Sequence, residues 1–376
     1  MVGTNNKITI WQQNINKSPS CQHNLLSNKS LINAKINIIT LQEPAINTFH
    51  NTITAKDWTP IYPSMHRSNP DKTRAVTMIR SSIKTDTWNQ LDFQSRDIMV
   101  AQLKGNWGKL TIFNIYNEGN SNDTVKELTK FHRNNHASLE ASGTESAHIL
   151  WLGDFNRHHP YWDNPNHTHL FTNNALDNVE ILIEAVADVG LELILPSGTL
   201  THKHNVMKKW TRLDQVFLSE QSHNLLILCD TQPKHRRINT DHLLIIMELD
   251  LDADTVEETI MPNYRDVNWD EFGKTLSKQL DKLPAPKPLI NQRQMDNACL
   301  ALTGAIQEAI GLEVPITEIT PKSKHWWTKE LTHLRKQVNK LGRKSYKLRA
   351  NEVHKIHKTH AEVARKYDKT LKNTKQ

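Results

Sequence analysis

The chain has 376 residues, of which 37% are apolar and 23% charged, with 12 Gly and 15 Pro. This composition excludes collagen, low-complexity disorder and a pure coiled coil, and the length corresponds to about two domains. Three cysteines are too few for a disulfide framework, so we expect a reducing compartment. Neither a long apolar run nor a signal-peptide pattern is present, so we expect an intracellular protein that is not secreted and has no membrane partner.

Short apolar, β-branched segments alternate with helical patterns through the first 250 residues. We predict strands at 8–13, 36–41, 75–79, 98–103, 110–115, 149–152, 215–218 and 243–249. We predict helices at 22–33, 123–139 and 174–189. Many short strands with few helices favour an α/β fold in which two mixed sheets pack face to face with helices outside.

The remainder of the chain has a helical pattern. Residues 250–265 are acidic, weakly periodic and contain a proline, which is typical of a domain boundary. Helices are predicted at 269–283 and 295–311, with the rigid spacer PAPKP at 284–288 between them, and one long basic helix at 326–369. We therefore predict three parts: a domain at 1–250, a linker with a short helix at 251–294, and a helical basic extension at 295–376.

Charge is divided unequally along the chain. Residues 322–376 contain 17 Lys and Arg against 4 Asp and Glu, whereas residues 1–321 have a net charge of −6. A basic segment behind an acidic body often binds a polyanion, nucleic acid first, because each neutralised phosphate releases counterions. A solvated basic helix without a partner is the alternative.

Acid, amide and imidazole side chains stand at the ends of the predicted strands. They are Asn14, Glu43, Tyr116, Asp154, Asn156, Asp214, Asp241 and His242. Hydrolysis of a phosphodiester needs a hard cation, an oriented water and donors for the developing charge. Glu43 with Asn14 beside it suits Mg²⁺, which prefers oxygen ligands, and Asp154 could orient or deprotonate the water. His242, held by a carboxylate such as Asp214, could bind or protonate a phosphate oxygen.

Each of these motifs has a structural alternative. GDFN can be a turn, and TDH can be a helix N-cap. Their joint occurrence in this order is much harder to explain without a common site.

The ordered motifs QQN, LQEP, NIYN, GDFN, RLDQVF and TDH resemble the endonuclease/exonuclease/phosphatase superfamily, which includes apurinic/apyrimidinic (AP) endonucleases and DNase I. The segments GDFNRHHPYWD, PSGTLTHK and TRLDQVFLSE look most like the endonuclease domain of non-LTR, LINE-type retrotransposons, particularly fungal ones. The resemblance covers residues 7–249. It implies a DNase I-like four-layer α/β sandwich that hydrolyses DNA phosphodiesters with Mg²⁺, or with Mn²⁺ as a substitute.

The resemblance also implies a role for each matching residue. Metal-side residues would be Glu43, Asn14 and Asp241; catalytic residues would be Asp154, Asn156, His242, Asp214 and Tyr116. Substrate contacts would come from Thr201, Thr211, His158 and Asn16, although a polar loop is an equal reading for His158. Asn16 stands where repair endonucleases usually have Asp, which argues against efficient abasic-site repair.

Other residues carry weaker signals. The pairs His202/His204 and His132/His136 could indicate a transition metal, but no supporting ligand set is visible in the sequence, so zinc is not predicted. Trp326 and Trp327 could stack on nucleic acid, but packing on a neighbouring domain is favoured.

The segment SKHWWTKELTHLRKQVNKLGRKSYKLR resembles the linker toward a reverse transcriptase, and no YxDD or FxDD motif follows it. We therefore expect a DNA-nicking enzyme truncated before that domain, located in the nucleus if it acts on chromosomal DNA, with no small-molecule cofactor. The basic tail 322–376 is expected to add nucleic-acid contact. The alternatives are a decayed nucleic-acid-binding fragment and, less favoured, a phosphatase of the same superfamily.

Overall fold

The computed structural model describes residues 7–27, 36–140, 145–204, 207–235, 240–253, 255, 262–264, 267–285, 287–315, 328–351 and 353–374. Within these residues the strands are β1 Ile8–Asn14, β2 Ile38–Gln42, β3 Trp58–Ile61, β4 Ala75–Arg80, β5 Trp88–Leu91, β6 Ile98–Gly105, β7 Gly108–Tyr116, β8 Ala147–Asp154, β9 Leu191–Leu193, β10 His202–Lys203, β11 Trp210–Thr211, β12 Asp214–Ser219, β13 Leu226–Thr231 and β14 Ile245–Leu249. The helices are α1 Pro19–Leu26, α2 Asp123–Leu139, α3 Asn173–Asp188, α4 Trp269–Leu280, α5 Gln292–Glu313, α6 Lys329–Lys347 and α7 Lys355–Asn373.

Two six-stranded mixed sheets form the body of the protein. The first has the order β13-β14-β1-β2-β4-β3 and the second β5-β6-β7-β8-β12-β9, while β10 and β11 form a separate two-stranded ribbon. In each sheet one central pair is parallel, β1 with β2 and β7 with β8. Because the strands of each pair are parallel, the carboxyl ends of β1 and β2 lie side by side, and so do those of β7 and β8.

Alternate side chains along the central strands enter different cores, as the pleat requires. Ile10 contributes to the apolar cluster between the sheets, whereas Trp11 contributes to the cluster that includes Leu25 of α1. In the second sheet Ile112 joins the cluster between the sheets, whereas Phe113 joins the cluster formed with α2 and α3. The result is the predicted four-layer arrangement of helix, sheet, sheet and helix.

All eight predicted strands are present, and the α/β sandwich is confirmed. The pattern did not predict the short or exposed strands, namely β3, β5, β9, β10, β11 and β13. Edge strands such as β5 and β13 alternate poorly between buried and exposed positions, so they lack the apolar signal of a central strand. The predicted helix at 22–33 ends earlier, because α1 stops at Leu26, and residues 28–33 lie outside the described part.

The prediction of one long basic helix at 326–369 is wrong. Helix α6 ends at Lys347 and α7 begins at Lys355. The two helices pack against each other through Leu331, Leu334, Val338, Tyr367 and Leu371. A helix with one apolar stripe cannot bury that stripe alone, and folding back on itself lets the two stripes cover one another. We call this pair the basic hairpin, residues 329–373.

The chain divides into two compact units. Residues 1–256 and 324–376 form one unit, which includes the basic hairpin, and residues 257–323 form the other, in which α4 contacts α5. The predicted boundaries at 250 and 294 stay a prediction. No helix in the described ranges is long and apolar enough to cross a membrane. Trp326 and Trp327 lie outside those ranges.

Candidate active site

The polar side chains predicted from strand ends meet at one edge of the sandwich. Asn14 ends β1 beside Gln42 at the end of β2, and Tyr116 ends β7 beside Asp154 at the end of β8. Asp214 begins β12 directly opposite Asp154 in the antiparallel register. Backbone pairing within each sheet and the face-to-face packing of the two sheets therefore bring together residues that are up to two hundred positions apart in sequence.

Asn14 joins the two sheets at this edge. Its buried side-chain amide donates to the Asp154 carboxylate at 2.8 Å and to the Glu43 carboxylate at 3.3 Å. The side-chain carbonyl oxygen of Asn14 accepts the backbone N–H of Asn16 at 2.8 Å, so both ends of the side-chain amide are hydrogen-bonded. Asn14 thus orients one buried carboxylate and one that remains about a fifth exposed.

His242 lies between three carboxylates. Its Nδ1 donates to Asp214 at 2.7 Å, because an ionised carboxylate can only accept, and its Nε2 is 3.7 Å from Asp154 and 3.9 Å from Asp241. Burial alone lowers the pKa of His242, but the charges of Asp214 and Asp154 raise it above the ordinary imidazole value. The carboxylates thus favour the protonated ring and fix its direction, with Nε2 toward Asp154.

Asp154 is itself buried and accepts hydrogen bonds from Asn14 and from the backbone N–H of Asn156 at 3.1 Å. Burial raises the pKa of Asp154 above the usual range of a carboxyl, although the nearby His242 opposes that shift. The side chain of Asn156 donates to the carbonyl of Asn117 at 2.9 Å, which fixes the loop that follows β8.

Left-handed backbone is concentrated here. Asn16, Glu43 and Asn156 have φ values of +48°, +46° and +50°. Asn adopts this conformation readily, but Glu does so at a cost of about 1 kcal/mol or more. The backbone N–H of Glu43 donates to the carbonyl of Arg74 at 2.8 Å, and its carbonyl accepts the N–H of Lys17, so the turn that presents Glu43 is fixed on both sides.

Tyr116 and Arg74 form the neighbouring part of the edge. The Arg74 guanidinium lies 4.8 Å from the centre of the Tyr116 ring and makes two hydrogen bonds of 2.6 Å to Asp97. Burial, followed by the charges of Glu43 and Asp154, raises the pKa of Tyr116, so its hydroxyl remains protonated and able to donate. Motif reasoning did not single out Arg74, which is a lone arginine in the loop before β4.

A buried ladder of amides beneath the site was also missed. Gln12 donates to Asp214 at 2.9 Å and to Gln42 at 2.7 Å, and Gln42 donates to Asn114 at 2.6 Å. Asn114 in turn donates to the hydroxyl of Thr77 and to the carbonyl of Val76. Polar residues at inward-facing strand positions such as Gln12 and Gln42 were the available signal, since buried amides need partners.

The predicted substrate residues have different surroundings. Thr201 is fully buried, and its hydroxyl accepts the backbone N–H groups of Leu213 and Asp214, so it positions Asp214 rather than facing a substrate. The hydroxyl of Thr211 is 2.9 Å from Nδ1 of His202. Nδ1 of His158 faces the buried carboxylate of Asp163 at 3.2 Å. Asn16 lies two residues after the end of β1, and its backbone N–H donates to the side chain of Asn14.

Arg157, which follows GDFN, is buried and organises a loop at the site. Its guanidinium donates to the carbonyls of Glu118, Gly119 and Ser121 and to the side chain of Asn122. The loop between β7 and α2 is thereby held against the end of β8.

Residues 110–246 match the family described as endonuclease-reverse transcriptase. The fold is similar to that of the endonuclease domain of TRAS1, a telomere-specific non-LTR retrotransposon, with a TM-score of 0.51 and 12% identity, covering 65% of this chain and 99% of that one. It is equally similar to the AP endonuclease LMAP from Leishmania major, with a TM-score of 0.51 and 12% identity, covering 65% of this chain and 88% of that one. No curated protein matches the chain.

Proposed function

We propose that this chain belongs to the endonuclease/exonuclease/phosphatase superfamily and is a Mg²⁺-dependent endonuclease that nicks DNA. One observation carries the proposal: an unbroken set of contacts runs from Glu43 through Asn14 and Asp154 to His242 and Asp214. Such a set joins a candidate metal ligand, a candidate base and a candidate phosphate ligand at one edge of the sandwich.

The donor chemistry fits a hard cation. Glu43 offers a partly exposed carboxylate that Asn14 orients, and Mg²⁺ prefers oxygen ligands while keeping several waters. Glu43 would hold the ion, with Asn14 beside it and Asp241 as the further metal-side carboxylate. When bound, the ion would offset negative charge on a phosphate oxygen.

The side chains around the ion have separable roles. Asp154 orients the attacking water and accepts its proton, since its carboxylate is fixed by Asn14 and the Asn156 backbone. His242, held by Asp214, directs Nε2 toward the same space and donates to a phosphate oxygen. The Tyr116 hydroxyl supplies a further donor to the phosphate.

The basic hairpin supports DNA as the substrate. Eleven of its described Lys and Arg side chains are exposed, against two Glu side chains. Tyr346 of α6 packs edge-to-face on Trp210 at 5.3 Å, and Trp210 is next to Thr211, which contacts His202 near the site. We propose that the hairpin adds phosphate contacts that are largely independent of sequence.

The test is nicking of supercoiled plasmid by the full chain, with Mg²⁺ and with chelator. Glu43→Gln, Asp154→Asn and His242→Gln should each lower the rate at least about 100-fold, because each removes a group acting at the reacting phosphate. The matched control Glu140→Gln changes an exposed carboxylate directly after the C-terminal end of α2 and should retain the wild-type rate. Cleavage unaffected by chelator or by all three substitutions would reject the proposal, and hydrolysis of phosphomonoesters without plasmid nicking would favour a phosphatase.

A further inference from the structure

The side chains of His202, Asp241 and His242 bring nitrogen and oxygen donors together next to the proposed phosphate site. The Nε2 of His202 is 3.6 Å from one carboxylate oxygen of Asp241, and the Nε2 of His242 is 3.9 Å from the other. The donor atoms of His202, Asp241 and His242 all lie within 4.8 Å of one another. All three side chains are largely buried, and Asp241 is the most exposed of them.

Backbone hydrogen bonds fix this group. The ribbon strand β10 carries His202, which forms an isolated antiparallel bridge with His242. The N–H of Lys203 donates to the carbonyl of Asp241 at 2.8 Å, and the N–H of Leu243 donates to the carbonyl of Thr201 at 2.6 Å. The segment with His202 and the segment with Asp241 and His242 are therefore held in register.

Both imidazoles have their other nitrogen engaged. Nδ1 of His242 donates to Asp214 at 2.7 Å, and Nδ1 of His202 is 2.9 Å from the hydroxyl of Thr211, which can accept its proton. A histidine that binds a metal through one nitrogen almost always donates from the other to a carboxylate or another oxygen. Thr211 and Asp214 are these second partners, and they leave both Nε2 atoms directed at Asp241.

We infer that His202, Asp241 and His242 form a binding site for a borderline divalent ion of the Zn²⁺ class, which shares Asp241 with the proposed hard-cation site at Glu43 and, when no phosphate is bound, would replace the proton on Nε2 of His242. Tetrahedral coordination with metal–ligand bonds near 2.0–2.1 Å needs donor atoms about 3.4 Å apart, so the observed spacings need only small side-chain shifts. Two imidazoles with one carboxylate select Zn²⁺ or Co²⁺ over Mg²⁺. Three protein ligands leave the fourth position for water or a phosphate oxygen.

Sequence alone could not reveal this set. The neighbouring His204 is the obvious partner of His202 in the sequence, but the ligands come instead from residues 241 and 242, some forty positions later. The ring centroid of His202 is 4.8 Å from that of His242 and 6.3 Å from that of His204, so His202 lies nearer to His242 than to its neighbour in the sequence.

The experiment titrates the full chain with Co²⁺ in the absence of DNA and Mg²⁺, and follows the visible absorption of Co²⁺ and the heat of binding. Wild type should bind one Co²⁺ with a spectrum of four- or five-coordinate nitrogen and oxygen ligands. His202→Ala should weaken binding at least about 100-fold, and Thr211→Val should weaken it about 10–100-fold, because it removes the partner of Nδ1. Circular dichroism of each variant verifies that it folds.

Two controls locate the ion. His204→Ala removes the adjacent histidine of the same ribbon and should leave the spectrum and the affinity unchanged. Glu43→Gln should also leave the Co²⁺ spectrum unchanged, although the proposed nuclease activity would be lost. Retained Co²⁺ binding in a folded His202→Ala protein, or loss of the spectrum in Glu43→Gln, would overturn the site. Because no DNA is present, the outcome does not depend on whether the chain is a nuclease.

Discussion

The site edge and the basic hairpin are both rich in charge, but they bury it to very different extents. At the site, His242, Asp154 and Asp214 are nearly inaccessible to solvent, and His242 is hydrogen-bonded to Asp214 and lies 3.7 Å from Asp154. In the hairpin, Lys336, Lys340 and most of the other cations are exposed. A buried charge interacts strongly with a few fixed partners, whereas an exposed one is screened by salt and contributes little by itself. Single substitutions at the site should therefore abolish catalysis. In the hairpin, only several substitutions together should weaken DNA binding.

The largest effect is expected from Asp214→Asn. The variant keeps the shape of the side chain but removes the carboxylate that fixes the Nδ1–H of His242, and loss of such a partner lowers turnover about 10³–10⁴-fold. Plasmid nicking at saturating Mg²⁺ measures it. The matched control is Glu192→Gln, which breaks an exposed His–carboxylate pair with His223 at 2.9 Å and should change the rate less than twofold. If both substitutions lower the nicking rate equally, buried and exposed His–carboxylate pairs do not differ in their contribution to turnover.

Neutralising several hairpin cations together should have an intermediate effect. Changing four exposed residues to Gln should weaken DNA binding about 10–100-fold at 0.1 M salt and flatten the dependence of log K on log salt by up to about 3.6, while turnover at saturating DNA is retained. The four are Lys336, Lys340, Arg343 and Lys347. Fluorescence anisotropy with a labelled duplex over a salt series measures both quantities.

The control for the hairpin replaces four exposed lysines of the sandwich, Lys56, Lys84, Lys104 and Lys126. It should alter the salt dependence much less. If both quadruple variants lose the same affinity, net charge alone accounts for binding and the hairpin has no special role.

A smaller effect concerns stability and a partly buried histidine away from the site. Burial lowers the pKa of His132 to about 4, and its Nε2 accepts the indole N–H of Trp151 at 3.1 Å. The unfolded chain takes up a proton near pH 6.5 while the folded chain does not, so stability present above that pH is lost as the pH falls from 6.5 toward 4. This histidine should cost about 1–2 kcal/mol of unfolding free energy at pH 5.

Urea unfolding of wild type and His132→Gln between pH 7 and 4.5 measures that contribution. The variant should lose less stability on acidification than wild type does, whatever its stability at pH 7. His136→Gln, which changes an exposed histidine one turn further along α2, should keep the wild-type slope. If the unfolding free energy of His132→Gln falls with pH as steeply as that of wild type, another group dominates the acid sensitivity.

The central strands, and the polar side chains that meet where those strands end, could be predicted because both leave local signals. Apolar β-branched runs specify central strands such as β1 and β8, and polar residues that end those runs, such as Asp154 in GDFN, mark the rim of a sheet. Weak edge strands and the break between α6 and α7 leave no such signal, because packing between distant segments decides them.

The sequence by itself determined the order of the strands along the chain, the acidic body with its basic tail, and the residue types available for phosphate chemistry. Only the tertiary structure decided which of those residues share a site, since pairing of β7 with β8 and of β8 with β12 places Tyr116, Asp154 and Asp214 side by side. It also decided that Thr201 is a buried support and that His202 faces Asp241 rather than acting with His204. Backbone pairing between segments far apart in the chain sets these distances, and no local pattern encodes them.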